Sequence, residues 1–434
     1  MAKKKHVLKE DVEHDDSNTK NQVCRADFPP HFVFGVSTSS YQIEGGVNEG
    51  GRGKSIWDAF SHIEGKIIDG SNADVAVDHY HRYKEDIELI SDLGFKAYRF
   101  SISWPRIFPD GLGTKVNEEG IAFYNNVIDA LLEEGIQPFV TLYHWDLPLH
   151  LHESIGGWLN KQIVYYFAKF ADTCFEHFGD RVKNWGTINE PLHIAVGGYD
   201  TGRSAPGRNH NSSIETYLAA HHMILAHAAA VSIYHSKYKD KQGGQIGLVV
   251  DCEWAEANSD KIEDQCAAQR RVEFQLGWFL HPLYFGDYPE SMRDRLGDQL
   301  PQFTEEDKEL LESSTDFIGL NQYTSRLVSH AKDSVEEGHF EKAQQVAKIV
   351  EWEDGEIIGE KAASEWLYIV PWGCGRFSIT YLIHTTTHQY ISWRMVWMMK
   401  MNENVPLPEM LEDKKGLSFT KDTLLLLLKQ SRME

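Results

Sequence analysis

The chain is short of paired cysteine, of positive charge and of long apolar runs. Its five cysteines, at 24, 174, 252, 266 and 374, are odd in number and widely spaced. They form no disulfide framework and no CxxC metal pair, which points to a reducing compartment and an expected cytoplasmic location. Lys and Arg number 43 against 65 Asp and Glu, a net charge of −22. So acidic a chain repels phosphate backbones and excludes nucleic acid as a partner. The longest pure leucine run, Leu424–Leu428, is far below the ~18 residues that cross a membrane. The N-terminus, MAKKKHVLKEDVEHDD, opens basic, but no apolar stretch follows. It reads as a mobile tail over 1–27, not as a secretory signal. Without secretion, the one sequon at Asn211-Ser212-Ser213 stays unused.

What the chain does have is core. Apolar residues make up 41% and aromatics 12%, which is a globular composition. Short, near-continuously apolar runs predict strands at Phe32–Ser37, Ala97–Ser103, Gln137–His144, Asn184–Glu190, Gln245–Asp251 and Asp316–Tyr323. Such runs suit strands covered on both faces, as in a parallel sheet. Helical spacing fills the intervals, as in Asp78–Leu93 before Gly94 and Glu118–Glu134 before Gly135. Strand alternating with helix predicts a βα architecture. Polar residues gather at the strand ends: Ser103, His144-Trp145, Asn189-Glu190, Asn321 and Tyr323. That is where a (β/α)₈ barrel carries its active site. A doubly wound sheet would open on a Gly-rich turn, which this chain lacks.

One near-miss is Asn48–Ser55, NEGGRGKS, close to a phosphate loop but with Asn48 at the first glycine. It reads as a Gly-rich surface loop. The His79/His81 and His221/His222 pairs read as helix surface or core residues, and no metal or organic cofactor is expected.

The strongest local cluster is Thr187-Ile188-Asn189-Glu190-Pro191. A strand-end carboxylate beside an amide suits acid/base work: the amide holds a hydroxyl, and an apolar wall raises the carboxyl pKa. Gln42, His144 and Trp145 arrive at the same rim. Sugars are held by polar groups around their hydroxyls and by aromatic faces against their C–H patches.

The stretches FVFGVSTSSYQIEGG, SIWDAFSH, FKAYRFSISWPRIFPDG, FVTLYHWDLP, NWGTINEP, SAPGR, DFIGLNQYTSR and SEWLYIVPWG resemble the family 1 glycoside hydrolases, specifically plant β-glucosidases. The resemblance runs from Phe28 to Gly373. It implies a (β/α)₈ barrel over 28–373 and retaining hydrolysis of terminal β-D-glucosyl residues by two carboxylates about 5 Å apart. By position Glu190 is the acid/base. Gln42, His144 and Asn189 hydrogen-bond glucose hydroxyls. Arg99 and Tyr323 orient the nucleophile, with Asn321 beside them, and Trp366 stacks on the aglycone. The partner implied is a small β-glucoside; the oligomeric state stays open. Secreted relatives carry a cysteine pair after the APGR motif. Its absence from Arg208–Ser213 again suggests a cytosolic branch.

The pattern then breaks. The nucleophile belongs on the seventh strand, in a stretch like YNNPPIYITENG, and none is present. After Trp372-Gly373 the chain reads CGRFSITYLIHTTTHQYISWRMVWMMKM. Written with suitable codons and read one nucleotide out of register, Thr385–Lys400 yields YNNPPIYIMENGMDDE. Residues 374–401 are therefore expected to be out of frame, with 402–434 a family-like remnant of the seventh βα unit. The strand-7 motif is disrupted, and strand 8, with the sugar-closing segment WSLLDNFEW, is absent. The expected result is an impaired β-glucosidase. The alternatives are a non-catalytic glucoside-binding relative and a transglucosidase. A rival for 393–398 is an amphipathic helix at a membrane surface.

Overall fold

The computed structural model describes residues 24–374, apart from 29, 31 and 334–336, together with 376 and the strand 389–394. Seven parallel strands form one sheet in chain order: β1 (Gly35–Ser37), β2 (Ala97–Ser101), β3 (Gln137–Tyr143), β4 (Asn184–Asn189), β5 (Gln245–Asp251), β6 (Phe317–Asn321) and β7 (Gln389–Arg394). Every residue of β2, β4 and β6 is buried. Strands with both faces covered need apolar residues on both, which is why their sequences do not alternate. The sheet is a curled, incomplete (β/α)₈ barrel. No eighth parallel strand occurs among the described residues, so β1 and β7 are its edges.

Helices α1 (His79–Asp92) and α2 (Glu118–Glu133) end as their sequences predict. At α1, Gly94 has a φ of +80° and its N–H bonds the Ser91 carbonyl, while the Phe95 N–H reaches back to Ile90. At α2, Gly135 and Ile136 repeat the arrangement on Leu132 and Leu131. Glycine takes this left-handed cap without a Cβ penalty, and the chain turns at once into the next strand. Inside the sheet, a Cβ on Gly247 would lie 2.1 Å from the Phe317 carbonyl oxygen. The β5–β6 approach therefore depends on glycine there.

Three expectations need correction. The tail ends earlier than residue 27. Arg25–Asp27 is a short 3₁₀ turn, and the Arg25 guanidinium bonds the carbonyls of Phe28, Pro30 and Phe32. Residues 1–23 and most of 374–434 lie outside the described residues. Of the rival helix at 393–398, positions 393 and 394 belong instead to the strand Gln389–Arg394, and 395–398 lie outside the described residues. That strand pairs with β6 from Gln389↔Phe317 onward, with a register shift between Ser392 and Arg394 like the one between Gly186 and Asn189 beside β5. Backbone pairing asks little of side-chain identity, so the sheet runs beyond residue 373. The loop 48–55 is also more than surface. Ser55 is buried and caps the helix Ile56–Ser61, and Arg52 pairs with Asp58 at 2.8 Å.

The histidine pairs behave as expected. His79 is buried on Asp86, His81 is exposed, and His221 and His222 bond Tyr288 and the Trp158 carbonyl. Sequence reasoning missed a second, three-stranded sheet of Trp254–Ala257, Ser325–His330 and Val346–Ile349. It grows from the chain just past β5 and β6 and covers a small core around Trp352, Tyr368 and Trp372. No helix among the described residues is long and apolar enough to cross a membrane.

Candidate active site

The C-terminal ends of β2 to β6 converge on one buried polar network. Its centre is Asn189, the last residue of β4 and 1% exposed. Its side-chain oxygen accepts from Arg99 Nη2 at 2.7 Å and from Asn321 Nδ2 at 3.1 Å. Its amide nitrogen lies 3.2 Å from His144 Nε2, and its carbonyl accepts from Trp145 Nε1 at 2.9 Å. Arg99 is held from its other side by Thr141 at 2.9 Å. One asparagine thus ties together the ends of β2, β3, β4 and β6.

Glu190 follows, 5% exposed. Its Oε1 accepts from the Asn321 amide and from the Tyr323 hydroxyl at 2.7 Å. Both bonds fall on Oε1; Oε2 takes no hydrogen bond among the described residues. Glu190 has a φ of +50° and Trp145 a φ of +78°. A left-handed conformation costs a non-glycine residue about 1–3 kcal/mol, and such outliers cluster where geometry serves a site. Here the turn between β4 and the helix α3 (Pro191–Tyr199) folds the carboxylate back over the strand ends.

The expected binding residues fall at this rim to different degrees. His144, Asn189, Asn321 and Glu190 share the network. Tyr323 bonds Glu190 and meets Trp366 edge-on at 5.8 Å, and Trp366 is 48% exposed at the outer edge. Gln42 is exposed on the turn Ser40–Ile43, where its side-chain oxygen accepts from Ser39. No carboxylate stands in β7, whose residues read QYISWR.

Sequence reasoning missed what holds the Gln42 turn. The Ser40 N–H bonds Ser101 Oγ at 2.7 Å, and its hydroxyl bonds buried Asp146 at 3.0 Å. Burial pushes the Asp146 carboxyl up to about 7. Glu44, on the other side of Gln42, accepts from Arg106 at 3.1 Å and Tyr124 at 2.6 Å. The motifs HWD and QIEGG contain both acids, but nothing in spacing shows that they anchor a turn. His193 and Asp251 were also missed. His193 stacks on Trp145 and pairs with Asp251 at 2.9 Å. Desolvation works against its charge, but Asp251 outweighs this and raises the imidazole to about 10.

Comparison with known proteins agrees with this geometry. The family model of glycosyl hydrolase family 1 matches residues 24–429. Beta-glucosidase 42 of Arabidopsis thaliana is 62% identical over 402 residues, 92% of this chain and 82% of that protein. Beta-glucosidase 4 of Oryza sativa subsp. japonica is 62% identical over 352 residues, 81% of this chain and 73% of that protein. A rice β-glucosidase mutant, solved in a covalent complex with glucose, superposes with a TM-score of 0.92 at 44% identity, covering 95% of this chain and 88% of its own. A β-glucosidase of the fungus Humicola insolens in complex with glucose gives 0.89 at 38% identity, covering 92% and 86%. The chain belongs to glycosyl hydrolase family 1.

Proposed function

We propose that Glu190 is the general acid/base of a retaining β-glucosidase site, and that this chain lacks the carboxylate that would complete it. The carrying observation is the Asn189–Asn321–Tyr323 network around a buried Glu190. A carboxylate so held can present its free oxygen to a glycosidic oxygen and later to water. Gln42, His144 and Asn189 serve the glucose hydroxyls, with Asn321 beside them. Arg99 and Tyr323 orient the carboxylates, and Trp366 offers its face to the aglycone.

Retaining hydrolysis needs a second carboxylate to attack the anomeric carbon. The absence of Asp and Glu from β7 supports its loss. We therefore read 374–401 as an out-of-frame segment, followed by a family-like remnant over 402–434. Sequencing the transcript from the Pro371 codon onward tests this: a restored Glu-Asn-Gly supports it, and a confirmed CGRFSIT overturns it. The matching assay is turnover of p-nitrophenyl β-D-glucoside by the purified 434-residue chain. Turnover near the Glu190→Gln background is expected, and a normal rate overturns the proposal. The bare end of β7 also favours a second reading, a non-catalytic glucoside-binding relative. Calorimetric binding of the glucoside by folded protein, without turnover, distinguishes it. A cytoplasmic location is proposed as well, supported by the odd number and wide spacing of the cysteines. A fluorescent fusion found in secretory compartments overturns it.

A further inference from the structure

Beside the strand ends, three ligating side chains face one another. Glu190 and Asp251, from the ends of β4 and β5, are 5% and 6% exposed, and His193 lies one turn along α3 from Glu190. One donor atom from each lies within 4.8 Å of the other two. Among the described residues this is the one such group. Two further facts point to a ligand. Asp251 Oδ1 is buried and has no hydrogen-bond partner among the described residues. Glu190 Oε2 likewise takes no hydrogen bond there, since Asn321 and Tyr323 both occupy Oε1.

We infer that Glu190, His193 and Asp251 form a binding site for a divalent transition-metal ion of the zinc class. One imidazole nitrogen and two carboxylates are a common zinc donor set, with Zn–N of about 2.0–2.1 Å and Zn–O of about 2.0–2.2 Å. Magnesium and calcium prefer all-oxygen sites, so the imidazole selects against them. Two buried carboxylates supply the negative charge that a dication neutralises, and binding displaces the proton shared by His193 and Asp251. The 2.9 Å between His193 Nδ1 and Asp251 Oδ2 already suits two donors on one ion. A bound ion would occupy the oxygen of Glu190 that faces a glycosidic bond. That consequence rests on the proposed function of Glu190; the metal site itself does not.

The test is calorimetric titration of zinc chloride into the folded 434-residue chain in a non-chelating buffer. The expected result is one site, weakened at least about tenfold in both His193→Gln and Asp251→Asn and unchanged in His81→Gln, which removes an exposed surface histidine. Because Asp251 is buried, its variant is checked for folding by circular dichroism; His193 is half exposed, and its variant decides alone if Asp251→Asn unfolds. Absence of a one-site isotherm, or an unchanged one in His193→Gln, overturns the inference. Equal affinity for magnesium would overturn the assignment to the zinc class.

Discussion

β4 and β7 lie in the same parallel sheet and make the same kind of ladder, yet only β4 leads into a buried carboxylate. β4 delivers Asn189 and Glu190 into a network that four strands share. β7 pairs with β6 along its length and delivers QYISWR. Hydrogen-bonded backbone is indifferent to most side chains, so a strand forms wherever β-prone residues reach a waiting edge. A reaction is not so tolerant. It needs named atoms at set distances.

The largest effect should come from giving β7 what β4 has. A chain carrying the shifted reading YNNPPIYIMENG over this segment should turn over p-nitrophenyl β-D-glucoside on the order of 10³-fold faster or more, because nucleophile and acid act as a unit. Equal rates would break the comparison.

Acid should act next, on the support of β4. His227 is buried against Thr187 at 2.7 Å, and desolvation lowers it to about 3; desolvation also lowers His221, to about 4. Both fold as neutral imidazoles while the unfolded chain titrates near 6.5. Their contribution is therefore complete above pH 6.5 and is lost as pH falls toward 4 and 3. Urea unfolding between pH 7 and 4.5 should lose on the order of 5 kcal/mol. The double variant His221→Phe/His227→Gln should flatten that slope.

A cut at the centre of the network comes third. Asn189→Ala leaves buried Arg99 and Asn321 short of an acceptor, and should cost about 2 kcal/mol in denaturant unfolding. It should also abolish calorimetric glucoside binding. An unchanged midpoint would mean the network is not shared as drawn.

The last effect has the opposite sign. Asp146 folds with a carboxyl raised to about 7 by burial, so its ionisation opposes folding as pH rises from 4 to 7. Asp146→Asn should stabilise the chain by on the order of 4 kcal/mol at pH 8 and by nothing at pH 4. Equal effects at both pH values would show that the Ser40 bond, not the charge, dominates.

Much of this was legible in the residues. Six strands and the caps of α1 and α2 follow from apolar runs and glycine, because those signals are local. Asn189, Glu190, His144 and Asn321 were visible as polar residues at strand ends. Gln42 was visible too, though the anchors of its turn, Asp146 and Glu44, were not. Their partners lie 60 to more than 100 positions away in the chain, and no periodicity encodes such a meeting.

The sequence by itself determined the barrel's alternation of strand and helix, the acid/base candidate and the lack of Asp and Glu in QYISWR. These depend on residue type and order along the chain. Only the tertiary structure decided that β7 joins the sheet, that Glu190 turns back over the strands in a left-handed conformation, and that His193 and Asp251 meet beside it. Those facts depend on which distant atoms the closing sheet brings within hydrogen-bond reach, and the curl of the sheet sets that distance.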